Sequence, residues 1–239
     1  MPARRLDQTP ESVGRFDVVG LDSDGTQNFV GHAGLSRQAY NGVASSIPIG
    51  LADMGPPLDR FGHELLVHCI GTVPLTDDEI ERIGLFIDEL EFEYAASQTV
   101  DSGQYVVHPH CVDEPETDTT PTRRRFSCGG FVLEAYRQID IDLVKTETDA
   151  LPLVTIETLR IAYRDPRQLR ALAIPRARAA LGLVGGGPWR IFLPRYLLHS
   201  LARTEVAIRS GVPYTPHPGD EFFPAQPTQP GSVPSNPPG

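Results

Sequence analysis

Reactive chemistry is first readable in this chain at a cysteine set directly before a helix. In Arg123–Leu143, RRRFSCGGFVLEAYRQIDIDL, Cys128 precedes a segment where Phe131, Val132, Ala135, Tyr136 and Ile139 recur at the three-to-four spacing of an amphipathic helix. Ser127 is the expected N-cap. A sulfur in that position lies at the positive end of the helix dipole, beside N–H groups with no helical partner. Both effects favour the thiolate, which is the nucleophilic form. Gly129 and Gly130 stand where a purely structural helix would carry alanine, and are expected to leave the first turn open to an approaching substrate. The competing reading is a small buried hydrophobe, the usual fate of a free cysteine. The place of Cys128 off the apolar stripe speaks against it.

A thiolate nucleophile needs an imidazole to hold and pass its proton. Downstream, His199 sits in a helical pattern and His217 in proline-rich sequence, so the candidates are His32, His63 and His68 upstream. His32 lies in Gly31-His32-Ala33-Gly34-Leu35 on an expected strand. His63 and His68 flank or enter the apolar run Glu64–Ile70. His68 is either a rival base or the third member that orients the ring, and Asp53 is another candidate for that third place. The residues alone leave this choice open.

The run Ser127-Cys128-Gly129-Gly130-Phe131-Val132-Leu133-Glu134-Ala135-Tyr136 resembles the cysteine-bearing helix start of NlpC-type papain-like thiol enzymes. With histidines before the cysteine, the order resembles the circularly permuted branch, which includes relatives of lecithin retinol acyltransferase. In that branch a Gly-His step followed by small and apolar residues carries the activating imidazole, and Gly31-His32-Ala33 looks like that step. The resemblance implies an α+β, papain-like permuted fold: an antiparallel sheet carrying His32, packed on the helix carrying Cys128, with further C-terminal helices. It implies a thiol hydrolase or acyltransferase acting on a peptide, another amide or a lipid ester, with Cys128, His32 and His68 as candidate catalytic residues. The alternative is a non-catalytic binding or scaffold module that keeps the fold.

The elements around this centre follow from pattern. The 239 residues suit one domain over 14–212, with a disordered 1–13 and a Pro-rich tail at 213–239, where nine of 27 residues are proline. Phe16–Leu21 and Asn28–Ser36 read as paired strands, Ser46–Leu51 as an edge strand, and Glu64–Ile70 as one strand buried on both faces. Thr76-Asp77-Asp78-Glu79 is a capping box opening a helix with Ile80, Ile83, Phe86 or Ile87, Leu90 and Tyr94 inward. Gln98–Pro121 reads as a loop in which Tyr105–Val107 is a possible strand. Helices are expected through Leu153–Tyr163 and from Pro166, and Trp189–Ile208 reads as a helix broken at Pro194 that packs on the core or lies on a lipid surface.

Composition narrows the partners. A net charge of −10 speaks against nucleic acid and anionic membranes, whose binding draws on clustered Lys and Arg. The one basic cluster, Arg123-Arg124-Arg125, reads as a solvated loop that also raises the potential near Cys128. Cys69, Cys111 and Cys128 imply no disulfide framework. His108, His110 and Cys111 place three potential zinc ligands in four residues, but no second pair completes a tetrahedral set, so no metal is expected. Gly185-Gly186-Gly187-Pro188 lacks the Lys-Ser/Thr of a phosphate loop, and no cofactor is expected. With neither a signal-peptide core nor an 18-residue apolar run, the expected location is cytoplasmic, without a membrane span.

Overall fold

The computed structural model describes residues 4–5, 11–22, 30–43, 48–54, 63–66, 69–96, 105–114, 123–163 and 166–221. The chain is of mixed α+β class. In order, the first elements are β1 (Arg4–Arg5), β2 (Glu11–Val13), β3 (Val18–Asp22), β4 (Val30–Ser36), β5 (Tyr40–Val43), β6 (Pro48–Ala52), β7 (His63–Leu66) and β8 (Cys69–Gly71). Then come α1 (Asp77–Ala96), β9 (Cys111–Glu114), β10 (Arg123–Phe126) and α2 (Cys128–Arg137). The rest is β11 (Leu153–Val154), α3 (Ile156–Ala162), α4 (Pro166–Ala173), α5 (Pro175–Ala180), β12 (Trp189–Arg190), α6 (Arg195–Leu201) and α7 (Glu205–Arg209).

Six strands form one antiparallel sheet in the order β1-β8-β3-β4-β6-β7, while β2/β5, β9/β10 and β11/β12 are separate two-stranded pairs. The sheet must curl. Leu66 ends β7 and Cys69 begins β8, so at most about 11 Å of chain joins them. In a flat sheet those strands would lie four spacings apart, about 19 Å. Strand alternation then serves two cores. Val19, Ile49, Leu51 and Ile70 join Val13 of β2 in a small cluster on one face, whereas Val18, Ala52 and Cys69 turn to the main core shared with the helices. Cys69 and Ile70, adjacent in β8, are thus both buried, and two expectations are corrected. The run Glu64–Ile70 supplies two strands rather than one, and β6 is interior, between β4 and β7.

The capping box at Thr76 forms as read: Thr76 N–H donates to Glu79 Oε2 at 2.8 Å, and Glu79 N–H donates to Thr76 Oγ1 at 3.3 Å. Ile83, Phe86, Ile87 and Leu90 of α1 are buried. Cys111–Glu114, read as loop, is a strand because it pairs residue for residue with Arg123–Phe126. The expected helix over Leu153–Tyr163 is shorter, with Leu153 given to β11, and Trp189–Arg190 pairs as β12 rather than joining a helix. No lipid-facing role is left for α6. Arg195, Tyr196, Leu197, Leu198, Ser200 and Leu201 are all buried. Gly71 admits it: a Cβ there would sit 2.6 Å from Leu201 Cδ1.

Both termini carry more order than their composition implies. Arg4–Arg5 pairs with β8 and Glu11–Val13 with β5, so residues expected to be disordered supply strands. Beyond Val212, Tyr214 bridges Val144, stacks on His199 and donates its hydroxyl to Asp220 at 2.5 Å. The chain is held through Glu221, and the remainder of the Pro-rich tail lies outside the described residues. Among those residues no helix is long and apolar enough to cross a membrane.

Candidate active site

Cys128 is the first residue of α2. The Ser127 hydroxyl caps the helix by accepting from Gly130 N–H at 2.9 Å, and the Ser127 N–H is fixed by the His110 carbonyl at 2.9 Å. The helix is buried on nearly every side, from Cys128 through Leu133 and again at Ala135 and Tyr136, and packs across β4. At about 1.5–3 kcal/mol for each large apolar side chain, that burial holds the sulfur's position firmly.

The partner strand is shaped for the meeting. Between Leu21↔His32 and Asp22↔Val30 the β3/β4 register skips Gly31, a bulge next to the histidine. The backbone around it meets the sulfur: the Gly31 carbonyl lies 4.0 Å from Cys128 Sγ, and the Ala33 N–H donates to it. Asp53 follows β6, and its Oδ2 lies 2.5 Å from His32 Nε2. Gly34 makes room for this approach, since a Cβ there would stand 2.9 Å from Asp53 Cβ and 3.0 Å from the Ala52 carbonyl oxygen.

The electrostatics point one way. Burial alone would lower the His32 pKa. The hydrogen bonds to Asp53 and to Cys128, with the charges on both, override it and push the imidazole up to about 10. Burial would raise the Cys128 thiol. The hydrogen bond and charge of His32, the Ala33 N–H and the Tyr105 hydroxyl override that and hold it below its ordinary value. Cysteine and imidazole therefore each favour the other's charged form, with a buried carboxylate behind the ring. Asp53 is wholly buried, Cys128 is 1% exposed and the His32 side chain 12%.

Of the histidine candidates, the structure brings His32 to the sulfur. His68 lies outside the described residues, and His63 is described only as backbone in β7. Two sequence expectations about the sulfur's surroundings need correction. Gly129 and Gly130 do not open the first turn to a substrate, because the protein itself fills the space. A Cβ on Gly129 would meet Phe192 Cε1 at 2.7 Å, and one on Gly130 would meet the His110 carbonyl oxygen at 1.9 Å. Arg124 and Arg125, before Cys128, lie on β10 rather than in a solvated loop. Arg124 is bonded to Glu93 at 2.6 Å on α1, and Arg125 donates to the carbonyls of Tyr105 and Ala180, both at 3.0 Å.

The zinc candidates are likewise engaged in structure. His110 Nε2 lies 3.7 Å from Glu134 and its ring packs on Phe192, while burial pushes the Cys111 thiol up to about 12. Among the described residues no group of three or more His, Cys, Asp or Glu side chains is placed to hold a metal ion. Sequence reading missed two members of the centre. The Tyr105 hydroxyl lies 4.0 Å from Cys128 Sγ, and the Tyr163 hydroxyl lies 2.7 Å from that of Tyr105. Tyr105 reads as part of an apolar strand and Tyr163 as one position of a helical stripe, and neither pattern signals a hydroxyl turned inward.

Fold and site together define an α+β protein with a cysteine at a helix start, opposed by a histidine and an aspartate from an antiparallel sheet. Compared with known proteins, the chain matches no family model, no curated protein and no solved structure.

Proposed function

We propose that this chain is a thiol hydrolase or acyltransferase of the papain-like, permuted NlpC type, acting on an amide or ester through Cys128, His32 and Asp53. The observation that carries the reading is the convergence of a helix-start cysteine with an imidazole whose far nitrogen is held by a buried carboxylate 2.5 Å away. The chain order histidine, aspartate, cysteine fits the permuted branch.

With Nε2 engaged by Asp53, Nδ1 is the nitrogen that serves the sulfur. The Cys128 thiolate attacks the carbonyl carbon, and the Cys128 N–H at the helix start stabilises the oxyanion. As the tetrahedral intermediate collapses, the carbon–heteroatom bond breaks and His32 gives its proton to the departing amine or alkoxide. Water, or an acceptor hydroxyl or amine, then loses a proton to His32, attacks the thioester and releases the thiolate. Asp53 keeps the ring oriented and its charge supported throughout.

Burial of the sulfur favours a second reading, a non-catalytic module that keeps the fold and its charge pair. Iodoacetamide alkylation against pH separates the two, using the full chain with Cys128→Ser as the background. An enzyme gives an alkylation phase at Cys128 well below the ordinary thiol range, and His32→Ala abolishes that phase while the protein stays folded. A Cys128 alkylation midpoint in the ordinary thiol range, unchanged in His32→Ala, would establish the inactive module.

A further inference from the structure

Tyr105 and Tyr163 lie beside the sulfur without a part in the chemistry above. Tyr105 is 2% exposed and Tyr163 7%. Tyr105 bridges Phe126, two residues before Cys128, while Tyr163 closes the end of α3, which packs on the strand carrying His32. Their hydroxyls are 2.7 Å apart, and either can be the donor. A phenol has one proton to give. If Tyr105 gives its proton to Tyr163, it turns a lone pair towards Cys128 and favours the protonated thiol. If Tyr163 is the donor, the Tyr105 proton is free to point at the sulfur 4.0 Å away and favours the thiolate.

We propose that Tyr163 is a positioning residue of the Cys128 centre: by donating to the Tyr105 oxygen it turns the Tyr105 O–H towards the sulfur and helps to hold the thiolate. The proposal rests on the thiolate reading given above. Among the described residues, the titratable groups acting on the sulfur are His32 on the sheet side, with Asp53 behind it, and these two phenols on the other. Burial, together with the negative sulfur, keeps both phenols protonated, so they act as donors and not as bases. The consequence for the fold is specific: the helical segment after α2 completes the nucleophile's hydrogen-bond set.

The test is the pH titration of Cys128 in the full chain, by thiolate absorbance and by iodoacetamide alkylation, with Cys128→Ser as background. Tyr105→Phe should move the midpoint up by about one pH unit, the worth of a charge-assisted hydrogen bond. Tyr163→Phe should move it up by about half a unit, since it acts only by orienting Tyr105. The double variant should move it no further than Tyr105→Phe alone. Should Tyr163→Phe fail to fold, Tyr163→Leu also removes the hydroxyl and carries the same expectation. A midpoint unmoved in the Tyr163 variant, or a Tyr163 effect that persists when Tyr105 is phenylalanine, overturns the proposal while leaving the thiolate reading intact. A wild-type chain with no alkylation phase below the ordinary thiol range overturns both.

Discussion

Asp53→Asn isolates the group that makes the imidazole basic. Asparagine keeps the shape and one acceptor oxygen, so His32 Nε2–H retains a partner, but the charge is gone. Removing one member of a buried pair outright costs about 3–5 kcal/mol. Keeping a neutral hydrogen bond, at roughly half the strength of the charge-assisted one, brings the expected loss to about 2 kcal/mol. At about 1.4 kcal/mol for each tenfold factor, this lowers the thiolate–imidazolium population relative to the neutral pair by about thirtyfold. The same loss draws the His32 midpoint down from its present value of about 10. Nitrogen-detected NMR of the imidazole should show that fall, and iodoacetamide alkylation of Cys128 below neutral pH should slow by a similar factor. A folded Asp53→Asn chain whose His32 titration and low-pH alkylation match wild type would refute the argument, because the carboxylate would then hold neither the ring nor its charge.

Two further predictions concern the frame of the site. Arg209 on α7 makes a two-pronged bond to Glu79 at the start of α1, at 2.7 and 3.1 Å, and this bond is the first cause of the Glu79 pKa falling to about 2. A carboxyl lowered in this way contributes stability above its unfolded value near 4.5, which is lost as pH falls towards 2. Discounted for the partial exposure of Arg209, Arg209→Ala should cost about 1–2 kcal/mol in urea unfolding at pH 7 and progressively less below pH 4. A cost equal at pH 7 and pH 2.5 would show that the pair is not the source. Gly130→Ala should destabilise by about 2 kcal/mol or more despite alanine's better helix propensity, because its Cβ would collide with the His110 backbone carbonyl. Gly129→Ala meets the Phe192 ring at 2.7 Å and the Pro194 Cα at 3.3 Å, a milder clash than a carbonyl oxygen at 1.9 Å, and should cost less; equal costs in urea melts would contradict the packing argument.

Much of the site was legible because local physics writes itself into neighbouring residues. A cap, a cysteine and an apolar stripe define α2, and Thr76 with Glu79 define the start of α1. The placement of His32 on a strand was readable for the same reason. What could not be read depends on residues distant in sequence. The choice of Asp53 over other third members follows from the Leu35↔Ala52 register, and that register is set by how β4 and β6 pair. One apolar run supplies both β7 and β8, which pair with different strands, and no local pattern announces that division. The glycines after Cys128 were read as leaving the first turn open to a substrate, whereas the chain's own residues 110 and 192 fill that space.

A nucleophile only 1% exposed has one more consequence, for its timekeeping. Such a sulfur meets a reagent only while its wrapping is parted, so its rate of capture should level off as reagent concentration rises. The plateau would equal the frequency of parting. Bulky maleimides and slim alkyl halides, compared at that ceiling, would then gauge how wide the doorway swings.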